Sequence, residues 1–250
     1  MPDAGIIDLN ADLGEGCGDD SAMLRIVSSA NIACGAHAGD EISMRDTVQA
    51  AVLHGVTIGA HVSYPDREHF GRHDMDMPAA QLGREITRQI QALGSVAHEC
   101  GTRVRYVKAH GALYNRMADD ANLARVVIAA IGQCDTSMML LTLPGSVAMQ
   151  CAVEMGLRAV AEAFVDRAYT ESGRLLPRNQ AGAVLTDPET VAQRAVQMAV
   201  AGRVAGDTGK ELVISARSLC VHGDTPGAVA LAGAVRTALQ NAGLRIAAFA

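Results

Sequence analysis

The chain has 250 residues, is 49% hydrophobic and carries a net charge of -6, which gives it enough apolar content for one sizeable core at the usual size of a single barrel domain. Lys and Arg are scattered and aromatics make up only 3%, so a basic, aromatic platform for nucleic acid is excluded. No apolar stretch reaches membrane-spanning length uninterrupted, Met1-Pro2-Asp3-Ala4-Gly5 lacks the basic segment of a signal peptide, and the six cysteines form no C-x-x-C pair, so the expectation is a cytoplasmic protein with reduced thiols.

In chain order, short β-like runs alternate with Ala-rich segments of helical length. Strands are expected at 6–10, 29–34, 56–61, 104–109, 138–143, 158–162 and 218–222, with a weaker eighth at 244–249. Helices are expected at 20–27, 41–54, 78–100, 119–133, 146–155, 187–203 and 225–242. Asp40-Glu41 opens one of them and Gly55 closes it; Pro78, Asp187-Pro188-Glu189 and Thr225-Pro226 mark other starts. Strict alternation predicts a parallel sheet, and this many units predict a distorted (β/α) barrel of seven or eight strands spanning 1–250 as one domain, with a doubly wound open sheet as the alternative. Two connections, 62–77 and 163–186, are long enough to be functional loops.

The polar residues fall in a pattern. Asp8, Asn10 and Asp12 are spaced by two and share one face of an extended chain, where carboxylates are costly unless paired or used. Taken alone, that stretch reads equally well as a solvated acidic loop after the strand. Later strands end the same way, however: Asn31 to His37 after the second, His61 after the third, Lys108 to His110 after the fourth, Glu162 after the sixth and His222 after the last. A lone strand-end histidine is more often structural than catalytic. Four converging with Asp12, Lys108 and Glu162 reverse that preference, because all these strand ends meet on one face of a parallel barrel. His54 and His98 read as helix-surface residues.

Other chemistries find less support. Gly206-Asp207-Thr208-Gly209-Lys210 has the wrong spacing for a phosphate-binding loop and reads as a surface turn. Cys34 and Cys220 read as small apolar fillers. Asp12, His37 and His61 follow three successive strands and could hold Zn²⁺ or a similar ion, but no H-x-x-x-H spacing fixes them, so the expectation is no tightly bound metal, with that triad as the alternative. Arg67, Arg72, Lys108, Arg167 and Arg178 fall on strand ends or in the long loops and would suit an anionic group.

Longer motifs carry a resemblance. Asp8-Leu9-Asn10-Ala11-Asp12-Leu13-Gly14-Glu15-Gly16, Ser28-Ser29-Ala30-Asn31-Ile32-Ala33-Cys34-Gly35, His37-Ala38-Gly39-Asp40, Ile58-Gly59-Ala60-His61 and Tyr64-Pro65-Asp66-Arg67 occur in order, followed by Phe70-Gly71-Arg72, His110-Gly111-Ala112-Leu113-Tyr114-Asn115, Phe164-Val165-Asp166-Arg167, Tyr169 and Pro177-Arg178. Together they resemble the LamB/YcsF family over nearly the whole chain. The resemblance implies a barrel like that of the carbohydrate deacetylases. It also implies part of an ATP-dependent 5-oxoprolinase, which opens the lactam of 5-oxo-L-proline to L-glutamate while ATP becomes ADP and phosphate. Mg²⁺ would accompany the nucleotide, and two further subunits, of B and C type, would be partners; neither nucleic acid nor membrane is expected. Within it, Asp12 with His61 is expected as general base and Lys108 with Arg167 as cations on developing negative charge. Asp8, Asn10, Asn31, His37, Arg72, His110, Glu162 and His222 are expected to bind substrate. The alternative function is a stand-alone metal-dependent deacetylase or amidohydrolase using Asp12, His37 and His61. Ala36 stands where the family leads one to expect an aromatic, and Val62 and Ala109 where it leads one to expect prolines; these departures bear on substrate fit and loop stiffness, not on reaction class.

Overall fold

In the computed structural model, which describes residues 5–224 and 227–250, the short apolar runs become parallel strands and the Ala-rich segments cover them. Strands β1 (Ile6–Leu13), β2 (Ser29–Ala33), β3 (Thr57–Val62), β4 (Tyr106–Ala109), β5 (Met139–Thr142) and β6 (Arg158–Phe164) pair each with the next. An antiparallel hairpin, β7 (Arg203–Ala205) and β8 (Glu211–Val213), forms a separate two-stranded sheet. Strand β9 (Ser218–Cys220) then pairs with both β6 and β1, closing a seven-stranded barrel. The weak eighth run reduces to β10 (Arg245–Ile246), which pairs with Ile6 and Ile7, one step before the β9 contacts at Asp8–Asn10, and takes no part in closure.

Helices α1 (Asp20–Leu24), α2 (Glu41–His54), α3 (Ala79–Glu99), α4 (Gly111–Met117), α5 (Ala121–Cys134), α6 (Val147–Glu154), α7 (Pro188–Val196) and α8 (Ala228–Asn241) accompany the strands. Local chemistry explains their ends. The Asp40 carboxylate accepts from Ser43 N–H while the Ser43 hydroxyl accepts from Asp40 N–H, a reciprocal cap, and Gly55 at φ 66° ends the helix. Asp187 caps α7 through Thr190 N–H with Pro188 in the first turn. The expected helix at 187–203 is broken: after Val196 a π-helical turn, Gln197–Ala201, ends at left-handed Gly202, and the hairpin begins. Helix α4, seven residues long and directly after β4, is too short to show a helical period in sequence. The Thr225-Pro226 start lies outside the described residues. Gly206–Lys210 is the exposed hairpin turn, closed by Gly206 N–H donating to the Lys210 carbonyl at 2.8 Å.

The barrel has two unlike faces. Outward, Leu9, Ala11 and Leu13 of β1 join Ile32, Ile58, Val62 and Val107 in the core against the helices, with Leu82, Ile86, Ile90 and Leu93 supplying the buried stripe of α3. Inward, the alternate positions are polar. Asp8 accepts from Ser28 and Ser29 hydroxyls at 2.7 Å each and from Ser218, while Asn10 donates to Ser218 at 2.7 Å. Asn31 donates to Asn10 at 2.7 Å and accepts from the Tyr106 hydroxyl at 2.7 Å. Tyr106 also anchors a small apolar plug at the strand N-terminal end, with Met139, Leu141, Val160 and Phe249, whose ring lies 4.8 Å from that of Tyr106. Strand β3 makes room for this tyrosine with a glycine: a Cβ on Gly59 would sit 2.3 Å from the Tyr106 ring. Gly59→Ala is therefore expected to destabilise by roughly 1–3 kcal/mol through overpacking, read as a lower denaturant midpoint with an unchanged slope.

Candidate active site

Strand β1 runs three residues further than the sequence suggested, so Asp12 is a strand residue inside the barrel rather than part of a loop. Its register neighbour is Asn31, and the parallel register also sets Ala33, His61, Lys108 and Leu141 side by side on successive strands. Above them, at the strand C-terminal ends, opens a cavity of about 550 Å³. Asp12, Glu15, His61, Lys108, His110 and His222 line its floor, and both long loops supply walls, through Arg72 and His73 on one side and Arg167 and Leu175–Asn179 on the other.

Lys108 is the centre of the floor. Its ammonium lies 3.0 Å from Asp12 Oδ1 and 2.8 Å from Glu162 Oε1, and it also reaches Asn10 Oδ1 at 3.4 Å and Cys220 Sγ at 3.2 Å. Burial works against this charge, but the two carboxylates outweigh it and hold the lysine pKa well above its ordinary value. Glu162 is held from its other oxygen by the Tyr114 hydroxyl at 3.0 Å. Burial likewise opposes the charge of Asp12, yet His61 and Lys108 keep its carboxyl well below the usual range. Asp12 Oδ1 is taken by Lys108 and the Asn31 amide, and its Oδ2 lies 3.4 Å from His61 Nε2. Cys220 remains a thiol, since burial pushes it well above its usual range, and Cys34 is pushed up to about 12 in the same way.

Beside the lysine lies a second cluster. His37 and His110 stack with ring centroids 3.9 Å apart, His61 meets His110 edge-on at 4.8 Å, and Glu15 Oε1 approaches His37 Nε2 at 3.0 Å and His110 Nδ1 at 3.4 Å. Burial and the neighbouring histidines hold His37 neutral, its pKa pushed down to about 2, and act on His110 in the same direction. Burial and repulsion from Asp12 and Asp224 raise Glu15 well above its ordinary value. Phe70, at φ 56°, covers the cluster and turns its carbonyl to His110 Nε2, which donates at 2.9 Å.

The third element is a dyad. Asp166, fully buried, accepts from His222 N–H at 3.0 Å and lies 2.9 Å from His222 Nδ1. His222 borders the cavity, and Asp166 fixes its ring so that Nε2 is the nitrogen left for a ligand.

Seven of the expected residues thus border the cavity: Asp12, His61, Arg72, Lys108, His110, Arg167 and His222. Glu162, Asn10 and Asn31 lie beneath, holding Lys108 and Asp12. Asp8, expected to bind substrate, is deeper still, 1% exposed and bonded to three serines, its carboxyl pushed up to about 6 by burial, and it does not border the cavity. His37, also expected to bind substrate, packs behind His110, 2% exposed, and does not border the cavity. The Arg167 guanidinium donates to the carbonyls of Ala183 and Leu176, at 3.2 and 2.5 Å, and is partly committed to the loop. Arg72 and Arg178 share Asp224, at 2.6 and 3.4 Å, at the mouth. Arg67 is exposed and donates to the Gly39 carbonyl, away from the cavity lining. Sequence reasoning gave no role to Glu15, Tyr114 or Asp166, although all three lie in the quoted motifs; only the turn at Gly14 and Gly16 (φ 73° and 74°) brings Glu15 to the site.

A closed parallel barrel with a buried lysine–carboxylate floor and a histidine cluster at its strand C-termini defines an enzyme-like pocket of the (β/α)-barrel class. Residues 7–250 match the LamB/YcsF family model, and the chain belongs to that family. It is 52% identical over 250 residues to the A-type 5-oxoprolinase subunit of Streptomyces avermitilis, covering 98% of this chain and 100% of that one. It is 51% identical to the first A-type 5-oxoprolinase subunit of Agrobacterium fabrum, covering 98% of each. The crystal structure of the lactam utilization protein from Thermus thermophilus superposes with a TM-score of 0.92 at 40% identity, covering 97% of this chain and 99% of that one. A family 4 carbohydrate esterase from Streptomyces lividans shares the fold alone, with a TM-score of 0.51 at 12% identity and coverage of 98% and 93%. Among the described residues, no helix is long and apolar enough to cross a membrane.

Proposed function

We propose that this chain is the lactam-opening subunit of an ATP-dependent 5-oxoprolinase, working with two further subunits of B and C type. The observation that carries the reading is Lys108, a cation fixed by two carboxylates on the floor of a cavity with room for a small lactam and a transferred phosphoryl group. An unstrained lactam is a poor electrophile because its nitrogen donates into the carbonyl. Phosphorylating the carbonyl oxygen at the expense of ATP removes that protection. Water then adds to the ring carbon, the C–N bond breaks as the nitrogen takes a proton, and a second water releases phosphate from the resulting mixed anhydride. Lys108 suits the negative charge on oxygen and phosphate, and His222, oriented by Asp166, suits the proton transfers. Arg72 at the mouth suits the substrate carboxylate.

The nucleotide, with its Mg²⁺, is assigned to the assembled complex. The one phosphate-loop-like stretch of this chain, Gly206–Lys210, is an exposed hairpin turn. The purified chain with ATP and 5-oxoproline is therefore expected to be nearly inactive, and adding both partners to yield glutamate and ADP in step. A second reading, stand-alone metal-dependent amide hydrolysis, draws on the cluster of Glu15, His37, His61 and His110. Glutamate formation by the single chain without ATP would favour it and overturn the first.

A further inference from the structure

We infer that Glu15, His37, His61 and His110 form a binding site for one borderline divalent cation of the zinc(II) and cobalt(II) class. One donor atom from each residue lies within 4.8 Å of the other three, and all four residues are buried. The close approaches are His61 Nε2 to His110 Nδ1 at 2.9 Å, Glu15 Oε1 to His37 Nε2 at 3.0 Å, to His110 Nδ1 at 3.4 Å and to His61 Nε2 at 3.7 Å. A tetrahedral ion with bonds of about 2.0–2.1 Å needs donor separations of about 3.3–3.4 Å, which these four values bracket; the His37 ring, stacked parallel on His110 with centroids 3.9 Å apart, turns on binding so that its lone pair meets that of His110 at the ion.

The proton arrangement points the same way from a different observation. His61 Nδ1 lies 3.2 Å from the Lys108 carbonyl, and His110 Nε2 lies 2.9 Å from the Phe70 carbonyl. A carbonyl only accepts, so both of these nitrogens carry the hydrogen. The remaining nitrogens, His61 Nε2 and His110 Nδ1, face one another at 2.9 Å. Two lone pairs in that position repel unless something positive, a proton or a metal ion, lies between them. A backbone carbonyl behind each imidazole is also the usual outer support of a metal-bound histidine. His37 lacks it: its Nδ1 has no partner among the described residues.

The site departs from the sequence expectation of no tightly bound metal, and differs from the Asp12, His37 and His61 triad that stood as its alternative. Asp12 Oδ1 is committed to Lys108 and to the Asn31 amide, at 3.0 and 2.8 Å. Its Oδ2 stays 3.4 Å from His61 Nε2, at the edge of the cluster. Three imidazoles and one carboxylate select a borderline ion over Mg²⁺ or Ca²⁺, which require mostly oxygen.

Binding is tested without substrate, ATP or partner subunits, so its outcome is separate from that of the lactam reading. The full-length chain, stripped with chelator, is titrated with Co²⁺ and followed by visible absorption, by metal analysis after gel filtration and by thermal melting. The expected result is one Co²⁺ per chain with the intense d–d bands of a tetrahedral site, a raised melting temperature, and displacement by one equivalent of Zn²⁺. His61→Ala and Glu15→Gln are expected to abolish stoichiometric binding while circular dichroism stays native. The double variant His69→Ala/His73→Ala, which removes the exposed cluster with Asp66, should retain it. Absence of stoichiometric Co²⁺ and Zn²⁺ binding by the native-like wild-type chain would overturn the site and leave a proton shared between His61 and His110. Loss of binding in the His69/His73 variant would overturn it equally.

Discussion

Lys108→Met is expected to abolish turnover of the reconstituted enzyme and to cost about 3–5 kcal/mol of stability, the range for removing one partner of a buried ion pair. The side chain is 1% exposed, and Asp12 and Glu162 both point at its ammonium from within 3.0 Å. Methionine fills the space of the stem but leaves two carboxyls facing one another across the barrel. The stability loss is read from urea unfolding of the isolated chain and the catalytic loss from coupled glutamate and ADP release. The double variant Lys108→Met/Glu162→Gln separates the two effects. Removing the orphaned carboxylate is expected to recover much of the stability and none of the turnover. Near-wild-type turnover in either variant would take the lysine out of the chemistry.

His222→Gln is expected to lower kcat by about 10²–10⁴-fold, the usual contribution of a positioned acid–base group, and to lower the unfolding midpoint, since Asp166 loses its ring partner and keeps only the backbone N–H. Glutamine keeps the backbone N–H that donates to Asp166 and loses the imidazole ring. Asp166→Asn probes the same pair from the other side. It leaves His222 in place but removes the charge that fixes its tautomer, so it should lower kcat with a smaller effect on KM. Added imidazole decides whether the ring works as proton carrier: it should partly restore kcat of His222→Gln. Unchanged kcat in the variant would assign proton transfer to another group.

The barrel was legible in the sequence because each strand carries its own apolar run and most helices carry caps. Asp40 with Ser43, Gly55 and Asp187-Pro188 mark ends by local hydrogen bonding, which needs no partner from elsewhere. The inward face of β1 was legible as well, since a spacing of two is a property of the strand alone. What the sequence hid depends on contacts between distant segments. Glu15 joins the histidines only because two left-handed glycines reverse the chain after β1. Asp166 becomes the partner of His222 across 56 residues, and the division of Lys108 between Asp12 and Glu162 exists only once the barrel closes. The same closure explains why Asp8 looked like a site residue: its serine partners come from β2, β9 and the residue before β2, and no local pattern announces them.

The polar lining of the barrel also dictates an order of events during synthesis. Strand β1 carries Asp8 and Asn10, whose hydrogen-bond partner Ser218 is made much later, at separations of 210 and 208 positions. Until that serine emerges, the nascent chain holds an unfinished wall with a carboxylate and an amide facing a gap. The N-terminal strands can pair with one another early, but the tube cannot seal. Closing so long a loop is entropically slow, and the exposed strand edges meanwhile are what chaperones recognise. Completion therefore waits for β9, the strand that joins β6 to β1, and the barrel is sealed by the part of it made last.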